Sequence, residues 1–192
     1  MNNRKMKIKL NEVLKKMFSR FIQTSNQSKE WKQNEYFDES WRDRIHLMSK
    51  FIPDGSIVMD LGCGKMWLKE MISTSGYIPV DYCDRGFGTQ LCDFNNKEFP
   101  NKTVDYSFVS GCLEYVVDPK WFISEIAKAS SACIISYCTT DNVADIGTRK
   151  KFCWVNNLSR SDIIELFQEG NMFLRHETLY LSSNSIFVFC KE

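Results

Sequence analysis

The chain lacks the residue spacings that build metal and disulfide frameworks. It has two histidines, and its eight cysteines are scattered with no Cys-x-x-Cys pair. Neither a zinc site nor a disulfide scaffold is indicated, and no metal ligand is assigned. Several cysteines fall inside apolar stretches, as reduced core thiols do. No membrane-length apolar run and no signal peptide are visible, which makes the cytosol the expected compartment. Net charge is lacking too: 25 Lys+Arg against 24 Asp+Glu leave +1, with the basic residues gathered at the N-terminus. That argues against a nucleic-acid partner. What is present is 192 residues with 43% hydrophobic content, enough to bury one core without covalent staples.

The most informative stretch is Val58-Met59-Asp60-Leu61-Gly62-Cys63-Gly64. Ile57, Met59 and Leu61 make an apolar strand, and Gly62 and Gly64 allow a tight turn and close approach of a ligand to the backbone. Trp67, Leu68, Met71 and Ile72 then recur at helical spacing, so a helix is expected over 65–72. Strand, glycine turn and helix form a nucleotide-type cradle. A dinucleotide fingerprint would need glycine where Trp67 stands, and a P-loop would need Ser or Thr where Met66 follows Gly64-Lys65. Both readings fail.

Asp-Leu-Gly-Cys-Gly instead resembles motif I of the class I S-adenosylmethionine-dependent methyltransferases, in which another glycine usually stands at the position of Met66. The resemblance covers roughly residues 36–192. It implies an α/β, Rossmann-like fold with a mostly parallel seven-stranded sheet and an antiparallel C-terminal hairpin. It implies S-adenosyl-L-methionine as cofactor, cradled at Asp60, Gly62, Cys63 and Gly64. Tyr77-Ile78-Pro79-Val80-Asp81 reads as a second strand whose terminal acid, Asp81, takes the ribose hydroxyls, with Asp84 as fallback. In Leu91-Cys92-Asp93-Phe94, Asp93 would accept from the adenine amine while Phe94 or a neighbour packs the ring. Val104–Ser110 reads as the fourth strand, entering Gly111-Cys112-Leu113-Glu114-Tyr115-Val116. Gly111 would flank the cofactor, and Tyr115 stands where many members carry histidine.

The remaining pattern alternates in the same way. Asp118-Pro119 opens a helix with Trp121, Phe122, Ile123, Ile126 and Ala129 on one face. Ala132–Cys138 is a fifth strand. Ser159 with Asp162 resembles a capping box before Ile163, Ile164, Leu166 and Phe167, and Gly170 closes that helix. Two strands, Met172–Leu181 and Ser185–Cys190, finish the chain. Only eleven residues separate Asp81 from Asp93, so the crossover between strands 2 and 3 is shortened, its helix lost or reduced to a turn at Arg85-Gly86-Phe87-Gly88.

Residues 1–30 stand apart from the methyltransferase domain expected over 31–192. Arg4, Lys5, Lys7, Lys9, Lys15, Lys16 and Arg20 accompany an apolar stripe from Leu10 to Ile22. A basic amphipathic helix over 4–22 suits a peripheral membrane or partner contact, or simple packing on the domain. Trp31, Tyr36, Phe37 and Trp41 precede a helix bearing Ile45, Leu47, Met48, Phe51 and Ile52; in the family such a segment often forms a lid over the cofactor.

In-line methyl transfer relies largely on orientation, and a base helps when the acceptor is a hydroxyl. Tyr115 is the first choice as catalytic residue, followed by Glu114, Tyr137, Asp141 and His176. Thr139–Asn157 is the expected acceptor loop, in which Arg149, Lys150 and Lys151 suit an anionic group. The Asp/Asn-Pro-Pro-Tyr signature of base-amino methyltransferases is absent, which favours a small-molecule or glycan acceptor over DNA or RNA. The compact sheet, with Tyr77-Ile78-Pro79-Val80-Asp81 followed by Asp93-Phe94-Asn95, resembles methyltransferases of bacterial surface-glycan (polysaccharide biosynthesis) pathways, a resemblance that implies O-methylation. The competing expectation is a non-catalytic scaffold of the same fold, tethered by its basic helix.

Overall fold

The computed structural model describes residues 37–192; the expected basic helix over 4–22, Trp31 and Tyr36 lie outside the described residues. The elements run α1 (Trp41–Ser49), β1 (Ile57–Leu61), β2 (Gly76–Asp81), β3 (Gln90–Leu91), β4 (Val104–Ser110), α2 (Pro119–Ala129), β5 (Ser130–Tyr137), α3 (Ile146–Lys151), α4 (Arg160–Glu169), β6 (Met172–Tyr180) and β7 (Asn184–Lys191). One seven-stranded sheet has the order β3-β2-β1-β4-β5-β7-β6. The pairings from β3 through β5 are parallel, and β7 runs antiparallel to both β5 and β6. This is the expected Rossmann-like α/β architecture with its antiparallel terminal hairpin.

Both faces of the sheet are covered, so its central strands bury side chains on both sides. Met59, Leu61, Val109, Cys133, Ile135, Phe187 and Phe189 pack with Phe122, Ile123 and Ile126 of α2 and Ile163 and Phe167 of α4. On the opposite face Val58, Phe108, Ile134, Ile186 and Val188 meet Met48 of α1, Ile52 and Leu68. The helix starts are chemically specified. Asp118 accepts from the Trp121 amide ahead of Pro119, and Ser159 and Asp162 complete the reciprocal capping box.

The helix expected over 65–72 is cut to a single 3-10 turn, Trp67–Glu70. Met66 before it is left-handed (φ 56°, ψ 31°). After it the backbone turns away, since the Ser73 carbonyl accepts from Gly55 N and Ser75 N donates to Ser56 O. Those bonds hold the segment against the approach to β1; Trp67 and Leu68 are buried, and Ile72 packs part-buried against the same cluster as Leu68. The β2–β3 crossover carries no helix. Residues 82–89 form a loop closed by the Thr89 N–Gly86 O bond.

Candidate functional site

In this sheet the chain leaves β1 toward β2 and leaves β4 toward β5, so the adjacent carboxyl ends of β1 and β4 form a topological switch point, where open α/β sheets place ligands. The glycine turn lies there. Gly62 N and Cys63 N both donate to Val80 O at 2.8 and 3.0 Å, and Gly64 N donates to Asp81 Oδ2 at 3.1 Å. Gly64 has φ +48°, and a Cβ on it would sit 2.4 Å from Phe37 Cε1. The aromatic ring therefore rests directly on the turn, and only glycine permits it. Phe37 meets Trp41 and Trp67 edge-on at 5.9 and 6.3 Å. Of the described aromatic residues in the expected lid segment, Phe37 rests on the turn and Trp41 packs on Phe37.

Two acids sit beneath. Asp60 is buried and accepts from Tyr77 Oη; burial, partly offset by that hydrogen bond and reinforced by Asp81, raises its pKa to about 7. Asp81 is buried at the end of β2 and receives Gly64 N and Arg85 Nε on Oδ2, each at 3.1 Å, and Cys83 N on Oδ1. The Arg85–Asp81 pair is 4% and 5% exposed, and the guanidinium lies 5.0 Å from the Phe37 ring centroid. Arg85, read from sequence only as part of a turn, thus closes on the ribose-type acid. Asp84, the fallback acid, is exposed and accepts from Gly86 N within the loop, which accounts for it as a turn residue. The Cys63 thiol is raised by burial and is no nucleophile.

Asp93 caps the short turn Phe94–Asn96, accepting from Asn95 N and Asn96 Nδ2. The Phe94 ring packs inward at 4.6 Å from Phe122 and 6.1 Å from Phe99. The Phe94 ring is taken up by the core beneath α2.

Past β4, Gly111 N donates to Ser136 Oγ. Glu114 is buried: Oε1 accepts from Cys138 N at 3.0 Å, while Oε2 has no hydrogen-bond partner. Burial raises its pKa, opposed in part by Arg44 and Arg149. Tyr115 is raised by burial and by Glu114, with a Trp154 hydrogen bond acting the other way. It stays a neutral phenol, which suits a hydrogen-bond donor better than a base.

The other sequence candidates have structural duties. Tyr137 donates to Asn156 Oδ1 and accepts from Leu158 N and Arg149; burial pushes its pKa up to about 12. Asp141 accepts from Arg160 N at the start of α4. His176 packs on Phe51 at 4.7 Å. Arg149, expected to face an anionic acceptor, is 1% exposed. Its nitrogens donate to Asn157 Oδ1, the Cys138, Val143 and Asn156 carbonyls and Tyr137 Oη. It fastens the 139–157 segment to the end of β5. Lys150 and Lys151 remain exposed.

Arg44 escaped the sequence reading. From α1 it reaches Ser110 Oγ at 3.1 Å and Asn184 Oδ1 at 3.2 Å, and it is 9% exposed. The available signal was its place between Trp41 and Met48 on the buried face of a helix, where an arginine needs partners. Among the described residues no group of His, Cys, Asp or Glu could hold a metal ion, and no helix is long and apolar enough to cross a membrane.

No protein-family model matches the chain, and no curated protein matches it. Solved structures do match in fold. Magnesium protoporphyrin IX methyltransferase from Synechocystis PCC 6803, with bound S-adenosylhomocysteine, aligns with TM-score 0.66 at 11% identity, over 92% of this chain and 100% of that one. The N-methyltransferase NodS from Bradyrhizobium japonicum WM9, in complex with S-adenosyl-L-homocysteine, gives 0.61 at 11% identity, over 78% and 85%. An S-adenosylmethionine-dependent methyltransferase from Mesorhizobium loti gives 0.61 at 15%, over 78% and 96%. At these identities the likeness establishes the fold.

Proposed function

We propose that this chain is an S-adenosylmethionine-dependent methyltransferase acting on a small-molecule or glycan acceptor, by O-methylation. The observation that carries the proposal is the Gly64 amide bonded to the Asp81 carboxylate beneath Phe37, at the switch point of a 3-2-1-4-5-7-6 sheet. The cofactor fits these residues. A carboxylate has about four acceptor sites, and Asp81 Oδ1 takes only the long Cys83 contacts, which leaves capacity for ribose hydroxyls. Asp93 takes the adenine amine. The Gly62–Gly64 backbone and Gly111 flank the methionyl chain. When bound, the cofactor supplies an electrophilic methyl group on a sulfonium sulfur.

The chain's own residues orient, dry and deprotonate. Phe37 and Trp41 exclude water from the turn. Tyr115 donates a hydrogen bond toward the acceptor. Glu114 Oε2, a buried oxygen without a partner and with an upward-shifted pKa, is the better proton acceptor.

Arg85 on Asp81 and Phe37 on Gly64 also favour a second reading, a non-catalytic scaffold whose cradle is filled by its own side chains. Calorimetric titration separates the two, with S-adenosylmethionine and S-adenosylhomocysteine added to the wild-type protein and to Asp81→Asn. Because Asp81 also holds Gly64 and Arg85, the variant's melting curve is recorded beside its binding isotherm. Micromolar binding lost in a folded Asp81→Asn supports the enzyme. A folded wild-type protein that takes neither ligand overturns it in favour of the scaffold.

A further inference from the structure

The two buried arginines near the end of β4 are in opposite states. A guanidinium has five N–H donors. Arg149 makes five hydrogen bonds. Arg44 makes two, through Nε and Nη1, to neutral acceptors. Among the described residues no carboxylate forms an ion pair with Arg44, and Nη2 has no hydrogen-bond acceptor. A nine-tenths buried cation in that condition is costly, and burial duly lowers its pKa.

Its setting is built for that cation. Gly111 has φ +66°, and a Cβ there would lie 2.8 Å from Arg44 Nη2, so glycine lets the guanidinium lie flat against the turn. Ser110 ends β4 and Asn184 begins β7. The fork therefore spans the β4–β7 side of the switch point. Asp81 and Asp93 lie on the β1–β3 side, and the glycine turn reaches the Gly111–Cys112 turn, where a Cβ on Gly62 would lie 2.8 Å from Cys112 Sγ. The unused donors thus sit past Gly111, at the β4–β7 end of the proposed cradle, on the side where an acceptor would enter.

Resting on the proposed function, we infer that Arg44 is a specificity-determining residue that receives a carboxylate of the acceptor beside Gly111, so the acceptor is an organic acid or acidic sugar. The Arg fork matches a planar carboxylate in bidentate fashion. Lys150 and Lys151, exposed on the expected acceptor loop, are not needed.

The test uses the full chain saturated with S-adenosylhomocysteine and matched probes observed by ligand NMR: glucuronate against glucose, and 4-hydroxybenzoate against 4-hydroxybenzyl alcohol. At least one acid is expected to bind and its neutral partner not to. Arg44→Gln should weaken that acid tenfold or more, Arg44→Lys severalfold, and the double variant Lys150→Gln/Lys151→Gln not at all. S-Adenosylhomocysteine affinity should stay unchanged throughout. Acid binding that survives Arg44→Gln, or absence of acid binding by the wild-type protein, overturns the inference. So does a tenfold loss of S-adenosylhomocysteine in Arg44→Gln, since the guanidinium then serves the cofactor's own carboxylate. Should Arg44→Gln fail to fold, Arg44→Lys decides, with unchanged acid affinity counting against the inference. If the wild-type protein takes no S-adenosylhomocysteine, the enzyme reading fails; the same acid titrations without it then decide whether Arg44 is an anion receptor.

Discussion

Asp60 should make the stability of this protein fall with rising pH across the neutral range. Its carboxyl is 4% exposed, and burial lifts its pKa from 3.8 to about 7 despite the hydrogen bond from Tyr77. The folded protein therefore binds more protons than the unfolded chain between those values. The corresponding stability is fully present below the unfolded value and is lost as pH rises through the folded one. A gap of about three pH units at about 1.4 kcal/mol each sets a ceiling of about 4 kcal/mol. Between pH 5 and pH 8 the loss is about 2–3 kcal/mol, because part of the ceiling has already been lost between the unfolded value and pH 5. Asp60→Asn keeps an oxygen for Tyr77 Oη and carries no charge at any pH. Urea unfolding of both proteins at half-unit steps from pH 5 to 8.5 isolates the effect, since other titrating groups cancel in the difference. The wild-type protein is expected to lose about 2–3 kcal/mol relative to Asp60→Asn over that range. A difference constant to within about 0.5 kcal/mol would refute the burial argument.

Arg149→Met should destabilise the fold by about 3 kcal/mol, because the Cys138 and Asn156 carbonyls and Tyr137 Oη lose their donor at roughly 1–3 kcal/mol each, partly offset by removing a buried charge; a melting temperature lowered by about 6–12 °C is the readout. Gly64→Ala drives a methyl group into the Phe37 ring at a left-handed backbone position, and S-adenosylhomocysteine binding measured by calorimetry should weaken at least tenfold. Unchanged affinity there would remove Phe37 and the turn from the proposed site.

The fold was legible because its signals are local and cumulative. β1 runs into Gly62, β2 ends at Asp81, and β4 runs into Gly111. The caps at Asp118 and Ser159 are set by residues three positions apart, and periodicity fixes α2 and α4. The shortened crossover could be read by counting residues. The lost helix after Gly64 could not be. Trp67, Leu68, Met71 and Ile72 have helical spacing, and only the later pairing of Gly55 with Ser73 and of Ser56 with Ser75 ends the helix after one turn. Those bonds join segments about eighteen residues apart, outside any helix window. Met66 shows the same limit. Its left-handed backbone explains why glycine suits that place, yet burial of its side chain, 6% exposed, offsets part of the strain.

At the site, residue type was legible and direction was not. Asp60, Asp81 and Asp93 could be placed near the carboxyl ends of β1, β2 and β3 because the backbone of a strand positions them. Charge in a loop or on a helix gave no such guide. Arg149 stood in a basic run that reads as solvent-facing, but the turn beginning at Asp145 points it inward to five neutral partners. Arg44 stood among apolar residues of α1 and drew no attention, yet it keeps donors unused at the mouth of the site. Nothing in their one-dimensional context separates these arginines; what does is whether the fold supplies acceptors for all five N–H groups. By that criterion the fully bonded Arg149 holds the framework, and the donors left over on Arg44 are those the proposed acceptor carboxylate would take. The same comparison weighs Glu114 against Tyr137. Both are buried at strand ends, and only Glu114 retains an oxygen without a donor. Chemistry in this fold should therefore be sought between Glu114 and Arg44, one strand beyond the motif that identifies the cradle.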